Sequence, residues 1–449
     1  MSTRQTGALL TLGLLLGGVP AAAQTSVQIP LQFDLLNPGA KSLALGGAFV
    51  AMADDATAGF ANPAGLIDLG RMQLSVELRG RRISSLFLER GRLSGDISNQ
   101  LTDTIVGPVF GESPDNSVGL GYASIVLPSR SRRWTLAAFR HELVRVDQSF
   151  FSHGVFQKDP TELTSRRDNP QEGVRRIALT NYGLAGAWSL NPHTSIGAAL
   201  SVYHFDLDAT FRRFDYDGFL GPPILSTEIG RSTQQGSGFS VAPSFGVQYC
   251  LQACDQRSTR SARLGAAYRM GPSFDYDTQD GTDPLRTQTF RSPSALAVGG
   301  AVEMPSEGRR LVLSGEVTWV SYSRLERDYV VDQARGSGLQ DQFFVDDGVE
   351  VHVGAQYTLE TVRWVPKLRA GLWSDPNHSV RFRSDPALQF PTDRVKDELM
   401  RVALSRGERA THVTAGVGLT LNERFAWNAG ADFAVRSTVI STSIIVNVR

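Results

Sequence analysis

The stretch Val349-Glu350-Val351-His352-Val353-Gly354-Ala355-Gln356-Tyr357-Thr358-Leu359-Glu360 decides the fold. Its odd positions, Val349, Val351, Val353, Ala355, Tyr357 and Leu359, are apolar, and its even positions are polar or small. A period of two is the strand period, with successive side chains on opposite faces. Phe425–Arg436 repeats the pattern, with Phe425, Trp427, Ala429, Ala431, Phe433 and Val435 opposed to Asn428, Gly430, Asp432 and Arg436. Fourteen such segments lie near 72–82, 117–127, 133–147, 176–190, 194–211, 238–251, 260–274, 293–304, 310–324, 349–360, 364–374, 411–421, 425–436 and 438–449. Most are longer than the five or six residues typical of a soluble strand. Their length suits the roughly 9–11 residues that a strand needs to cross a bilayer.

The connections alternate as well. Short ones fall near 128–132, 191–193, 252–259, 305–309, 361–363 and 422–424, and long ones near 83–116, 148–175, 212–237, 275–292, 325–348 and 375–410. Only the hairpin near 437 is short on the long side. A soluble sandwich has no reason to gather its long loops at one end. An outer-membrane barrel does, having short periplasmic turns and long extracellular loops. Of six Trp, Trp134, Trp188, Trp364 and Trp427 stand near short turns, as one interfacial aromatic girdle requires. Trp319 and Trp373 lie towards the opposite ends of their strands. The phase slips at two places: at Ala138–Phe139 in the third strand, and between Leu200 and Tyr203 in the fifth. A bulge or a misplaced strand boundary accounts equally for such slips.

Composition agrees once it is divided between two faces. The 449 residues hold 45 Lys plus Arg against 45 Asp plus Glu, with 41% apolar residues, 44 Gly and 2 Cys. Zero net charge argues against a nucleic-acid partner, whose affinity needs a basic footprint. Two Cys exclude a disulfide-dense scaffold and a multi-Cys metal centre. A mean hydropathy of −0.15 speaks against a helical membrane protein but not against a barrel, whose lipid face is averaged with a polar lumen. Residues 1–23 read as a signal peptide: Arg4, an apolar run from Gly7 to Val19, and small residues at Ala21 and Ala23. That run falls short of the roughly 20 residues of a membrane-spanning helix. The mature chain is expected to start at Gln24 and to be exported to a bacterial outer membrane. Cys250 and Cys254 are expected as a structural disulfide or as two free thiols rather than as a redox pair.

Residues 24–70 do not alternate. They contain Gly46-Gly47-Ala48-Phe49-Val50-Ala51-Met52-Ala53-Asp54-Asp55-Ala56 and then Asn62-Pro63-Ala64-Gly65-Leu66. Small residues let backbone pack closely, as a plug in a barrel lumen must. This pair of motifs resembles the N-terminal signature of FadL-type outer-membrane transporters of long-chain fatty acids and other hydrophobic compounds. Arg369-Ala370-Gly371, Pro376, Gly416 and Gly418 also resemble that family's penultimate strands. The resemblance implies an all-β fold, a 14-stranded antiparallel transmembrane β-barrel with an N-terminal hatch plugging the lumen. The expected division is 1–23 signal peptide, 24–70 hatch and 71–449 barrel. Gly46, Gly47, Asp54, Asp55, Asn62, Pro63 and Ala64 would build the hatch. The family also implies sideways exit of the ligand beside a kinked third strand, which puts that exit at Ala138–Phe139. The same signature occurs in PorV-like barrels that serve protein secretion, and the chain ends in Val448-Arg449 rather than in an aromatic residue.

No G-x-S-x-G elbow, H-E-x-x-H pair or phosphate-binding glycine loop occurs, so neither enzyme activity nor a metal or cofactor is expected. A passive conduit for hydrophobic molecules needs an apolar collector and an internal pocket. Ile97, Leu101 and Ile105 recur at helical spacing in the 83–116 loop beside Leu86, Phe87 and Leu88, either as collector or as the loop's own packing. Phe49, Phe60 and Leu66 are the hatch's candidate ligand contacts. A bound carboxylate calls for Arg, with Arg79 and Arg369 foremost and Arg263 and Arg269 beside them. Lumen Arg more commonly pairs with lumen acids, here Glu77, Glu316 and Asp432. The expected partners are hydrophobic small molecules (fatty acids or hydrocarbons), outer-membrane lipid and the barrel-assembly machinery, with no nucleic acid, for a monomer.

Overall fold

The structure is a computed structural model and describes residues 37–96, 105–158, 165–216, 223–252, 261–325, 340–360, 364–385, 391–405, 407, 409–422 and 424–448. The signal-peptide stretch 1–23 and residues 24–36 lie outside this range, as do Ile97, Leu101 and Cys254. Cys250 is disulfide-bonded.

The chain forms a closed antiparallel barrel of 14 staves. They are β1 Met72–Arg92, β2 Gly107–Pro128, β3 Trp134–Ser152, β4 Gln171–Asn191, β5 Thr194–Tyr216 and β6 Pro223–Cys250. β7 runs Ser261–Arg269 and continues as Ser273–Asp280, and β8 runs Arg286–Arg291 and continues as Ala295–Ser306. β9 Arg309–Val320, β10 Gly348–Leu359, β11 Val365–Asp375, β12 Ala410–Thr420, β13 Phe425–Phe433 and β14 Ser437–Val448 complete the wall. Pro272 and Pro293 fall at the interruptions of β7 and β8, since proline cannot donate to the ladder. β14 pairs back onto β1 from Met72↔Val448 to Ile83↔Ser437, which leaves no free edge.

The deciding stretch is now β10, and its pattern is inside out relative to a soluble protein. Val349, Val351 and Val353 are 50%, 48% and 48% exposed, while Glu350, His352, Gln356 and Thr358 are buried. The outer face is an apolar belt that includes Leu74, Val76, Leu184, Val241 and Val417, all exposed. Trp134 and Trp188 pair across β3 and β4 near the short turns. Trp373, by contrast, faces the lumen, where its Nε1 donates to Asp432 at 2.8 Å. No helix among the described residues is long and apolar enough to cross a membrane.

Four of the expected long loops are mostly strand, the one at 275–292 through the pairs Ser273↔Arg291 to Thr278↔Arg286. β1 and β2 stay paired up to Gly91↔Pro108, β3 and β4 up to Ser152↔Gln171, and β5 and β6 up to Tyr216↔Pro223. Beyond the bilayer a strand needs no apolar outer face, so its alternation vanishes while its hydrogen bonds persist. Leu86, Phe87 and Leu88 are therefore buried on β1 rather than displayed on a loop, and Phe87 packs on Phe150 at 5.3 Å between ring centroids.

Both expected phase slips are corrected. Ala138 and Phe139 pair with Leu184 and Gly183 in unbroken register, and the shift in β3 falls at Glu142–Val144. Ile196 to Phe211 pairs with both neighbours without a break. Phe139, Tyr203, Phe205, Leu207 and Phe211 are inward-facing apolar residues and buried. The lumen wall itself turns apolar there, so polarity stops marking the inner face.

Candidate functional site

The N-terminal segment fills the lumen. From Asn37 to Leu69 every residue is buried except Gly47, Asp54, Ile67 and Asp68, which are half-buried. Its regular structure is slight: α1 Ala40–Ala44, α2 Ala58–Ala61 and a 3-10 turn Pro63–Asp68. The wall holds it by bonding to its backbone. One oxygen of Glu316 on β9 accepts from the amides of Phe49 at 2.8 Å and Val50 at 2.7 Å. Tyr122 Oη donates to Ala56 O at 2.9 Å, Ser195 Oγ to Ala64 O at 3.1 Å, and Thr414 Oγ1 to Ala44 O at 3.1 Å. Gly39 N donates to Glu77 at 2.8 Å, and Arg263 pairs with Asp68 at 2.6 Å.

Wall glycines make this approach possible. A Cβ on Gly246 would stand 2.0 Å from Asn62 Oδ1, one on Gly197 2.4 Å from Ala64 N, and one on Gly354 2.5 Å from Leu45 O. Within the segment, Gly46 and Gly47 have φ of 63° and 81°, and side chains there would press on β11 and His352. Asn62 is fully buried and ties three strands of chain together. Its Nδ2 donates to Val50 O at 2.8 Å and Val247 O at 3.2 Å, and its Oδ1 accepts from Ala64 N at 3.1 Å, which caps the 3-10 turn begun by Pro63. Asp54 pairs with Lys41, and Asp55 accepts from Thr57 N at 2.9 Å. The seven expected hatch residues are thus all inside the lumen.

The candidate ligand contacts divide. Phe49 and Leu66 are buried in the segment's packing. Phe60 projects at the wall, 4.4 Å from the His141 ring and 6.3 Å from the Phe139 ring between centroids, with the Arg269 guanidinium 4.9 Å above it. Ile105 is half-buried, and its carbonyl accepts from Arg92 N at 3.0 Å. Neither Arg79 nor Arg369 is open to a carboxylate. Arg79 is paired with Glu77 at 2.8 Å, and Arg369 donates to Gln356 at 2.7 Å and Asn428 at 2.9 Å. The wall's own polar groups took these arginines, as expected for a lumen that must satisfy every buried charge.

Above the segment lies an apolar packing that the sequence did not single out. Phe205 stacks between Phe274 at 4.8 Å and Phe290 at 4.9 Å. Leu143, Val144, Val146, Ile177, Leu179 and Leu207 belong to the same buried cluster, which runs from the segment to Tyr322, Phe343 and Met400. Below the segment the interior is charged instead. A cavity of about 260 Å³ there is lined by Lys41, Asp54, Arg263, Glu303, Arg310 and Lys367, among others.

Beside this packing the β2–β3 ladder stops, and side chains bridge the two strands instead: Ser113 Oγ donates to Ser149 O at 2.6 Å and Asp147 N to Asp115 at 3.2 Å. β2 and β3 share only the seven pairs from Tyr122↔His141 to Pro128↔Thr135, although both strands run far past that point. Bulges flank the parting, at Glu77/Leu78 opposite Gly121 in the β1–β2 ladder and at Glu142/Val144 in the β3–β4 ladder. A cleft of about 890 Å³ opens here. Its lining runs across β2 to β6 and includes Val118, Arg145, Asp147, Arg176, Asp206 and Asp208.

No protein-family model and no curated protein matches the chain. Solved structures match it over nearly their whole length. A FadL homologue from Pseudomonas aeruginosa aligns with a TM-score of 0.54 at 12% identity, over 92% of this chain and 99% of that one. The toluene transporter TodX of P. putida aligns at 0.52 and 13%, over 93% and 100%. The toluene transporter TbuX of Ralstonia pickettii aligns at 0.51 and 13%, over 93% and 100%. At these identities the likeness establishes a shared fold.

Proposed function

We propose that this barrel of the FadL-type fold is an outer-membrane channel for hydrophobic molecules, with residues 37–70 as its hatch and the β2–β3 split as its exit. The observation that carries the reading is the asymmetry of the interior. Apolar packing fills the lumen from the rim to the hatch and is the chamber a ligand would open, and a charged cavity lies beyond. Porin-like lumens are polar throughout, because water must fill them. An apolar solute gains about 25 cal/mol for each Å² it buries, so it collects in the chamber and is repelled from the charged cavity. Its favourable way out is sideways, where the β2–β3 ladder stops beside the exposed Val118 and Leu120. The exit thus lies at Glu142–Val144 and Gly121 rather than at Ala138–Phe139. Export by a signal peptide at residues 1–23 belongs to the same proposal.

Cargo of the fatty-acid class, implied by the N-terminal signature, and aromatic hydrocarbons, carried by the two toluene transporters, both suit an apolar chamber. Uptake of radiolabelled oleate and of toluene by cells with and without the chain separates them. Phe205→Asp, which puts a charge at the chamber's centre, should lower uptake at least tenfold while heat-modifiable gel migration stays that of a folded barrel. Undiminished uptake in that variant would put the path elsewhere in the barrel. Uptake of both compounds that is the same without the chain would sink the channel reading and favour instead a PorV-like secretion platform.

A further inference from the structure

We infer that a row of inward-facing residues across β2–β5 recognises a hydroxyl group on the cargo, and that the preferred ligands are uncharged hydroxylated hydrophobes such as phenols. This rests on the channel reading above. Tyr122, His141, Asn181 and Tyr203 are directly paired neighbours on four successive strands. All four are buried, His141 and Asn181 completely. The row forms a polar band within an apolar wall. Leu179 and Phe205 lie one inward position above it, and Phe139 lies one below.

Tyr122 is committed to the hatch through Ala56. His141 and Asn181 are committed to nothing: among the described residues, both ring nitrogens of His141 and both amide atoms of Asn181 lack a hydrogen-bond partner. Two adjacent side chains left so are costly, and native proteins satisfy such groups with water or ligand. The chemistry of these two side chains selects the ligand. A neutral imidazole offers one donor and one acceptor, and a carboxamide offers two donors and one acceptor. A hydroxyl, both donor and acceptor, complements that set. A carbonyl would leave the acceptors unmatched, and a bare hydrocarbon would leave the whole set unmatched. A carboxylate would need a cation, and Arg79 is engaged by Glu77, Arg140 by Glu142 and Arg269 by Asn37 at 3.0 Å.

The hatch's Phe60 lies against His141, at the place an aromatic body would take. A ligand whose hydroxyl reaches the row must displace that ring. Binding is thereby coupled to movement of α2, and the unpaired groups of the closed state favour the exchange.

The test uses 1-naphthol and naphthalene, one body with and without a hydroxyl, titrated into the full membrane-extracted protein and followed by probe fluorescence. Wild type should bind naphthol about tenfold more tightly, the gain expected of one or two modest hydrogen bonds. His141→Phe and Asn181→Leu should each bring that preference to within about twofold with naphthalene affinity retained, and His141→Gln should keep most of it. Should one variant fail to fold by heat-modifiable migration, the other carries the comparison. Equal affinities in wild type, or a preference that survives both apolar variants, overturns the assignment and leaves the row as water-filled packing. Binding of neither probe overturns the channel reading and this assignment together.

Discussion

Glu316 shows how the barrel wall recognises its plug. A single carboxylate oxygen receives two successive amides, those of Phe49 and Val50, while Thr318 Oγ1 donates to the other oxygen at 3.1 Å. Hydrogen bonds to a charged acceptor contribute roughly 1.5–3 kcal/mol each. Glu316→Gln keeps the shape and removes the charge, so the hatch should lose about 2 kcal/mol of seating. Planar-bilayer recordings should then show more frequent openings than wild type, and an unchanged record would rule out this anchor. Asn62→Ala removes three bonds at once and should act more strongly, by roughly 3 kcal/mol. The same outcome is expected from the wall side, where Gly246→Val would drive a side chain into the Asn62 amide. Limited proteolysis of the 37–70 segment in intact barrels measures both.

At the scale of the element, β3 carries a bulge, and proline scanning locates where. Leu143 has no cross-strand partner between the pairs Glu142↔Thr180 and Val144↔Leu179. Proline is tolerated at bulges and breaks a continuous ladder. Leu143→Pro should therefore yield a folded, transporting barrel, and Ala138→Pro should abolish folding in the gel assay; the reverse order would place the irregularity elsewhere. All 14 staves were legible in the sequence because lipid demands an apolar outer face at every second residue. The upper parts of β1 to β8 were not legible, since outside lipid that demand ends while pairing continues. The two apparent slips had a different origin. Phe139, Tyr203 and Phe205 point inward like their polar neighbours, and a pattern of polarity cannot separate an apolar lumen from a displaced register. The N-terminal segment stood out as a motif, but its contacts in the lumen did not. Glu316, Ser195 and Thr414 address backbone atoms, which every sequence offers. His141 and Asn181 carried no signal of their own; their meaning comes from pairing across β3 and β4.

For the whole molecule, the two faces of the wall give opposite responses to one substitution type. Leu184, 70% exposed, lies on the outer belt, and Leu184→Arg should destabilise by about 2–4 kcal/mol if it lies near the bilayer midplane. Urea-driven unfolding in lipid vesicles measures that loss, and a neutral result would put Leu184 outside the hydrocarbon. The inward Phe205 should respond instead in uptake, as proposed above.

The slightness of the hatch bears on the order of assembly. Helices of four and five residues cannot persist alone in water, and nearly every contact that buries this segment is to the wall. The segment therefore has no folded state until the wall exists. It also runs directly into β1, whose other neighbour is β14, the last strand made. Closure of that seam and capture of the plug are thus adjacent events, the first required for the second. In a refolding time course, amide protection in 37–70 should lag behind protection at the β1–β14 pairs.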